Sequence, residues 1–308
     1  MKKLLMPYTK GDFTTKNHLV MAPMTRSRAV GNLPNSLMAE YYGQRTGAGL
    51  IISEGTAPAP EALGYPRIPG LFNQQQVEAW KQITHTVHKG GSKFFVQLMH
   101  TGRMGHYDNL PEGAVLVGAS DIKASGQIFT DTLGLQNYSQ PVALSKKGIE
   151  DVINGFVTAA KNAIDAGFDG VEIHGANGYL PEQFLNPTVN NRKDEYGGNI
   201  ENRAKLTLQI IASVANAIGK EKVGIRLSPF STLGDLAPYD AEETHQTYVY
   251  IAEALNALEI AYLHIGVNAS IPGKTFQSLR KLFSGTIILC NGLTVDTGEE
   301  ALHNGLAD

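Results

Sequence analysis

The stretch VEIHGANGYL, Val171 to Leu180, starts as a buried β-strand and ends in three hydrogen-bonding side chains set among glycines. Side chains alternate across a strand, so Glu172 and His174 share one face while Val171 and Ile173 take the other. With Val and Ile against a helical layer, Glu172 and His174 point into a barrel, His174 at its upper rim. Gly175 and Gly178 let the next segment turn sharply, which returns Asn177 and Tyr179 to the same opening. A lone histidine at a strand end is more often structural than catalytic. Three such groups in six residues, at the face where a barrel builds its site, reverse that balance.

Working outward, apolar runs alternate with helical patterns. Strands are expected at 18–24, 49–55, 93–100, 170–174, 223–227, 261–265 and 286–290. Helices are expected at about 35–46, 74–89, 146–166, 200–218, 241–258, 275–283 and 296–304. In the clearest helix, Ser145 is the cap, Ile149, Val152, Phe156, Ala159, Ala160, Ala163 and Ile164 recur at three-to-four spacing, and Gly167 stops it. The strands are apolar nearly throughout, as in a parallel sheet covered on both faces. Seven strand–helix units allow a (β/α)8 TIM barrel or a doubly wound sheet. Polar residues at the C-terminal strand ends favour the barrel, as does the absence of G-x-G-x-x-G after the first strand. An insertion at about 101–144 reads as a small hairpin or excursion over the barrel mouth, within a single domain spanning 1–308.

An eighth strand and helix are missing from the pattern. An edgeless barrel needs them, so the 308 residues are expected to be a fragment. Roughly 45–60 further residues would close the barrel with its last helix and a tail. A chain truly ending at Asp308 is expected to hold its cofactor weakly and to associate through the open edge.

Composition excludes several functions. Lysine and arginine total 26 against 29 acidic residues, without basic runs, which argues against a nucleic-acid partner. One cysteine, Cys290, excludes an intramolecular disulfide and a cysteine-rich metal site. The apolar stretch before Pro7 is far short of the roughly 7–15 residues of a secretory leader. No window reaches the ~20 apolar residues of a membrane span. The expectation is a soluble, cytoplasmic protein with no membrane partner, monomeric or homodimeric. No H-E-x-x-H, G-x-S-x-G or P-loop is present, and no metal is expected.

The other strand ends carry the remaining candidates. Arg226, inside apolar VGIRLSP, requires either an anionic partner or a structural pair with Glu172. Gln97 in FFVQLMH offers donor and acceptor to a planar heterocycle, or bonds neighbouring backbone. Thr25 ends the first strand in APMT. CNGLT after the seventh strand offers free N–H groups ahead of a helix, a possible anion cradle. His264 and Cys290 are taken as core. Such a rim suits a phosphorylated, heterocyclic cofactor better than a metal.

NHLVMAPMTRSRA, LIISEGT, GYPRIPGLF, FFVQLMHTGR, GVEIHGANGYLPEQFLNPTVNNRKDEYGGNIENRAKL and GIRLSP together resemble the Old Yellow Enzyme family of FMN-dependent ene-reductases. The likeness is collinear from the first strand to the chain end, and the long H-x-x-N-x-Y…E-N-R block is very specific. It implies tightly but non-covalently bound FMN across the barrel mouth. Pro23, Met24 and Thr25 would lie beside the isoalloxazine, Gly55 and Gln97 at its edge, Arg226 at the N1/C2-oxygen side, and Asn291 and Gly292 near the phosphate. His174 and Asn177 would polarise the carbonyl of an α,β-unsaturated substrate, and Tyr179 would protonate its α-carbon. NADPH or NADH would reduce the flavin in the same pocket by turns, which accounts for the missing dinucleotide fingerprint. Substrates would be enals, enones, maleimides or nitro-olefins; nitro compounds or nitrate esters are a neighbouring possibility. The alternative from another class is a flavin-free barrel acting as a scaffold. Where the family often carries an aromatic, this chain has Met99, and CNGLT matches the phosphate loop only loosely.

Overall fold

The structure, a computed structural model, describes residues 2–308. Seven parallel strands form one sheet, each bonded to the next in chain order: Val20–Met21, Leu50–Ile52, Lys93–Leu98, Gly170–Gly175, Val223–Leu227, Tyr262–Gly266 and Thr286–Cys290. Helices fill the connections. These are α1 (Ser36–Gly43), α2 (Gln74–Lys89), α3 (Lys146–Asp165), α4 (Leu180–Leu185), α5 (Ile200–Ile218), α6 (Ala241–Ala257) and α7 (Gly273–Leu282), with α8 (Val295–His303) after the last strand. This is the strand–helix alternation of a TIM barrel. The first and seventh strands are the sheet's edges, separated by an apolar groove of about 300 Å3 lined by Leu19, Val20, Ile288, Leu289 and Leu302.

Alternation along the fourth strand sorts the residues as expected. Val171 and Ile173 join the large core between sheet and helices, while Glu172 is fully buried on the other face. The barrel interior holds Leu50, Ile52, Phe95, Tyr262 and Ile288. A hairpin absent from the sequence expectation, Tyr8–Lys10 with Phe13–Thr15, stoppers the lower end. Phe13 meets Phe95 edge-on at 6.0 Å and Tyr262 at 6.1 Å, and the Tyr8 hydroxyl bonds the Thr286 hydroxyl at 2.8 Å.

Two expectations need correction. The first strand spans two residues rather than 18–24, because Pro23 has no N–H to continue a ladder. No helix was expected inside GYLPEQFLN, yet α4 forms there with Pro181 in its first turn and every residue buried. Elsewhere the helices match within about three residues, and the Ser145 hydroxyl accepts the Gly148 N–H at 3.1 Å as a cap should.

The 101–144 excursion contains an antiparallel hairpin, Gln127–Thr130 with Gly134–Asn137. Its base is clamped by the N-x-R-x-D-x-Y-G-G segment. Arg192 donates to the carbonyls of Ala119 (2.9 Å) and Leu144 (2.6 Å) while pairing with Asp194. Further on, Arg203 lies buried at the start of α5, donating to the carbonyls of Leu185 (2.8 Å) and Gly198 and to Glu243 (2.7 Å). These arginines are brackets that hold the loop-rich side of the barrel. Replacing Arg203 with leucine strips the buried Leu185 carbonyl, the Gly198 carbonyl and the Glu243 carboxylate of their donor at once. Urea unfolding of Arg203→Leu should show a loss of about 3 kcal/mol.

Candidate active site

Because the sheet is parallel and in register, chemistry collects in rows. Glu172 is aligned with Gln97 in one row, and His174, Arg226 and His264 form the next, toward the C-terminal ends. Glu172 accepts the Gln97 amide N–H at 2.8 Å and bonds His264 Nδ1 at 2.8 Å. The Arg226–Glu172 pair left open by the sequence does not form. The carboxyl group is committed to Gln97 and His264, and His264 is a bonded polar residue rather than inert core. Burial works against the imidazolium of His264, but the Glu172 charge overcomes it and lifts the pKa to about 9.

Arg226 is buried and donates to the Cys290 sulfur at 3.3 Å, while its Nε has no partner. No ion pair engages it among the described residues. Cys290, expected as core, therefore touches the site's charge. Burial raises its thiol, but His264 and then Arg226 outweigh that, and the net shift is downward.

His174 is 3% exposed with Nδ1 unpartnered. Its pKa is driven well below 6.5, first by burial and then by the neighbouring charges of Arg226 and His264. The ring is neutral near pH 7. Tyr179 packs edge-to-face on it, centroids 4.7 Å apart. The Tyr179 hydroxyl donates to that of Tyr65 at 3.3 Å, and Tyr138 from the excursion lies near Tyr65. Burial raises all three phenols, Tyr138 to about 12. Neither Tyr65 nor Tyr138 was expected. Their partners lie over a hundred and about seventy residues away, so no local spacing announced the row.

Asn177 adopts φ 59° and Gly178 φ 79°, a left-handed pair that folds the chain back over the mouth. Gly178 is necessary there, since a Cβ would come within 2.6 Å of Gly234 Cα. Glu182, also missed, lies beneath this turn. Its carboxyl accepts the Gly178 N–H (2.7 Å), the Ser228 hydroxyl (2.8 Å) and the Tyr248 hydroxyl (2.9 Å).

The remaining candidates come from other strand ends of the same face. Pro23 is buried, whereas Met24 and Thr25 are exposed. Gly55 is pressed on Met99, with a Cβ position 2.5 Å from its sulfur. Asn291 and Gly292 are exposed with φ 77° and 68°. For a flavin, the arrangement fits: a buried guanidinium lacking an anion, an unspent imidazole nitrogen, and an exposed polar and backbone rim. The class follows from fold and site together, an NAD(P)H-dependent flavin oxidoreductase built on a TIM barrel.

The chain belongs to the NADH:flavin oxidoreductase / NADH oxidase family, whose profile it matches over residues 3–307, and within it to the Old Yellow Enzymes. It is 38% identical over 328 residues to 12-oxophytodienoate reductase 7 of Oryza sativa subsp. japonica, covering 99% of this chain and 82% of that protein. It is 40% identical to the putative 12-oxophytodienoate reductase-like protein 1 of Arabidopsis thaliana, covering 96% and 91%. Among solved structures, morphinone reductase superposes with a TM-score of 0.95 at 37% identity, covering all of this chain and 84% of that one. The Old Yellow Enzyme homologue from Zymomonas mobilis gives 0.93 at 38%, covering 99% and 87%. Among the described residues no helix is long and apolar enough to cross a membrane.

The buried Glu172–His264 pair fixes a pH dependence. A histidine whose pKa is raised by folding contributes stability in full below its ordinary 6.5, and that stability is lost as pH rises through about 9. The flavin-free protein should show a melting temperature that falls from about pH 7 to about pH 9.5. Glu172→Gln should lower stability at neutral pH and flatten that fall. An equal slope in both proteins would assign it to other groups.

Proposed function

We propose that the chain is an FMN-dependent ene-reductase that uses NAD(P)H to reduce the activated C=C bond of enals, enones, maleimides or nitro-olefins. The observation that carries this is a neutral, buried imidazole with one nitrogen unspent, packed on a phenol that stays protonated. Support comes also from relatives named for 12-oxophytodienoate and morphinone, and from a solved complex of morphinone reductase with tetrahydroNAD.

Bound FMN would supply the hydride, taken from NAD(P)H and passed to the substrate's β-carbon. Thr25, Gly55 and Gln97 would hold the ring, with Pro23 and Met24 alongside, and Asn291 and Gly292 would meet the phosphate. With one amide N–H given to Glu172, Gln97 can still offer its carbonyl oxygen and its second N–H. Arg226 would supply fixed positive charge to the electron-rich reduced cofactor.

His174 and Asn177 donate hydrogen bonds to the substrate's carbonyl oxygen and draw density from the conjugated bond. A neutral His174 polarises without competing as an acid. Tyr179 gives its proton to the α-carbon, and Tyr65 can then donate to the phenolate left behind, the one contribution that lowers the Tyr179 pKa most against burial.

Purified protein should show a flavin spectrum, release FMN on heating and oxidise NADPH or NADH only with an activated alkene or another acceptor. Colourless protein that cannot be reconstituted with FMN would overturn the proposal. In Tyr179→Phe, flavin reduction should be nearly unchanged while enone reduction slows by roughly 10²-fold, the usual worth of a positioned acid. A nitro-olefin, whose nitronate product solvent can protonate, should suffer less. If both half-reactions fall together, Tyr179 is structural. His174→Ala should weaken binding of a phenol or enone by about 1–3 kcal/mol, read by titrating the flavin absorbance.

A further inference from the structure

We infer that Glu182 is a positioning residue for the reaction: its buried carboxyl group anchors the Asn177–Gly178 turn and so aims the Asn177 side chain at the substrate carbonyl. The inference rests on the proposed role of Asn177, and its test separates the two.

Three elements converge on this one group. From its own connection, the Gly178 N–H reaches Oε2 at 2.7 Å. From the end of the fifth strand, the Ser228 hydroxyl donates to Oε1 at 2.8 Å and itself accepts the Asn177 N–H at 2.9 Å. From α6, the Tyr248 hydroxyl also donates to Oε1, at 2.9 Å. Both consecutive peptide N–H groups of the turn therefore end on Glu182, one directly and one through Ser228. The turn needs that hold. Asn177 occupies a left-handed conformation that is costly for a non-glycine residue, and Gly178 is wedged against Gly234 on the opposite side. Take the acceptor away and the Gly178 N–H loses its partner, while the Ser228 hydroxyl that accepts the Asn177 N–H loses the carboxylate that orients it, so the hold on the left-handed turn is weakened.

The same group titrates. Burial raises its pKa to about 7, partly offset by the bonds from Gly178, Ser228 and Tyr248 and by the charge of Arg226. A cavity of about 200 Å3 bordered by Glu182, Asn186, Phe230, Tyr239 and Tyr248 gives it a path for proton exchange. The other ionisable groups facing it do not change charge near neutrality. Tyr248 and Tyr239 are pushed up by burial, Arg226 is a guanidinium, and His174 is held neutral. Above pH 7 the carboxylate accepts all three hydrogens. Below it, the acid must give its own proton to one of the hydroxyls, and the charge-assisted grip on the turn is lost.

The test uses FMN-loaded protein, with 2-cyclohexenone as substrate and a simple phenol as ligand titrated by flavin absorbance. In the wild type, phenol affinity and the reciprocal of KM for 2-cyclohexenone should rise about threefold to tenfold between pH 6 and pH 8, the worth of one net hydrogen bond. Glu182→Gln keeps the shape and a carbonyl for Gly178 and should abolish that pH dependence. Glu182→Leu should raise KM and weaken the phenol at least tenfold at pH 8. In the flavin-free protein, it should also accelerate amide hydrogen exchange of residues 174–182. A pH dependence retained in Glu182→Gln, or exchange unchanged in Glu182→Leu, overturns the inference. If Glu182→Leu does not fold, the Gln variant alone decides. His174→Ala is the control: if it leaves phenol binding unaltered, the carbonyl-site proposal itself fails. If it weakens binding while the Glu182 variants do not, only the role of Glu182 fails.

Discussion

Everything at the barrel mouth depends on how the one carboxyl group of Glu172 is spent. It sits fully buried between Gln97 and His264 and bonds both. A buried charge must be matched or it is expelled, and here the match is made with histidine rather than with the arginine two residues up the neighbouring strand. That choice leaves Arg226 as a surplus cation in the row above. It adds to burial in holding His174 neutral, and adds to His264 in drawing the Cys290 thiol downward against burial. It also makes the mouth hospitable to an electron-rich, anionic ring. Had Glu172 paired with Arg226, the same residues would have formed a closed structural ion pair with no appetite for a cofactor.

What was legible in the sequence follows the reach of each signal. The period of two along VEIH placed Glu172 and His174 on the interior face, and the capping serine and three-to-four spacing fixed α3. Short-range chemistry also exposed Arg226 as a charge in need of a partner. The sequence could not say which partner, because the competition among Gln97, His264 and Arg226 for Glu172 is settled by register between strands some seventy to ninety residues apart. Tyr65 and Tyr138 escaped for the same reason. Glu182 escaped for a different one: an acid in the first turn of a helix is ordinary at a helix N-terminus, and only burial distinguishes it. The assignments to the flavin itself came from resemblance, and the structure supplies the surroundings into which they fit.

The N-x-R-x-D-x-Y-G-G…E-N-R block, the most specific part of the resemblance, turns out to do scaffolding. Asn190 donates to the carbonyls of Phe184 and Tyr196, Arg192 to those of Ala119 and Leu144, and Arg203 to those of Leu185 and Gly198. Each satisfies backbone groups that neither helix nor sheet supplies in this irregular region. Specific sequence here marks difficult backbone, and the groups proposed to react stand on the neighbouring turn.

The hairpin that stoppers the lower end has a consequence in time. Tyr8 bonds Thr286 across 278 positions, Lys10 reaches the Gly285 carbonyl, and the backbone of Lys3 and Leu4 is tied to Glu299 in α8. A ribosome delivers these residues long before Thr286, Gly285 and Glu299, which receive them, exist. They must wait, solvated, while Phe13 has no Phe95 or Tyr262 to lean on, and contacts of such sequence separation form late because their loop entropy is met only once the rest has collapsed. A segment made before all seven strands is thus among the last to find its place, and the barrel's floor is laid after its walls.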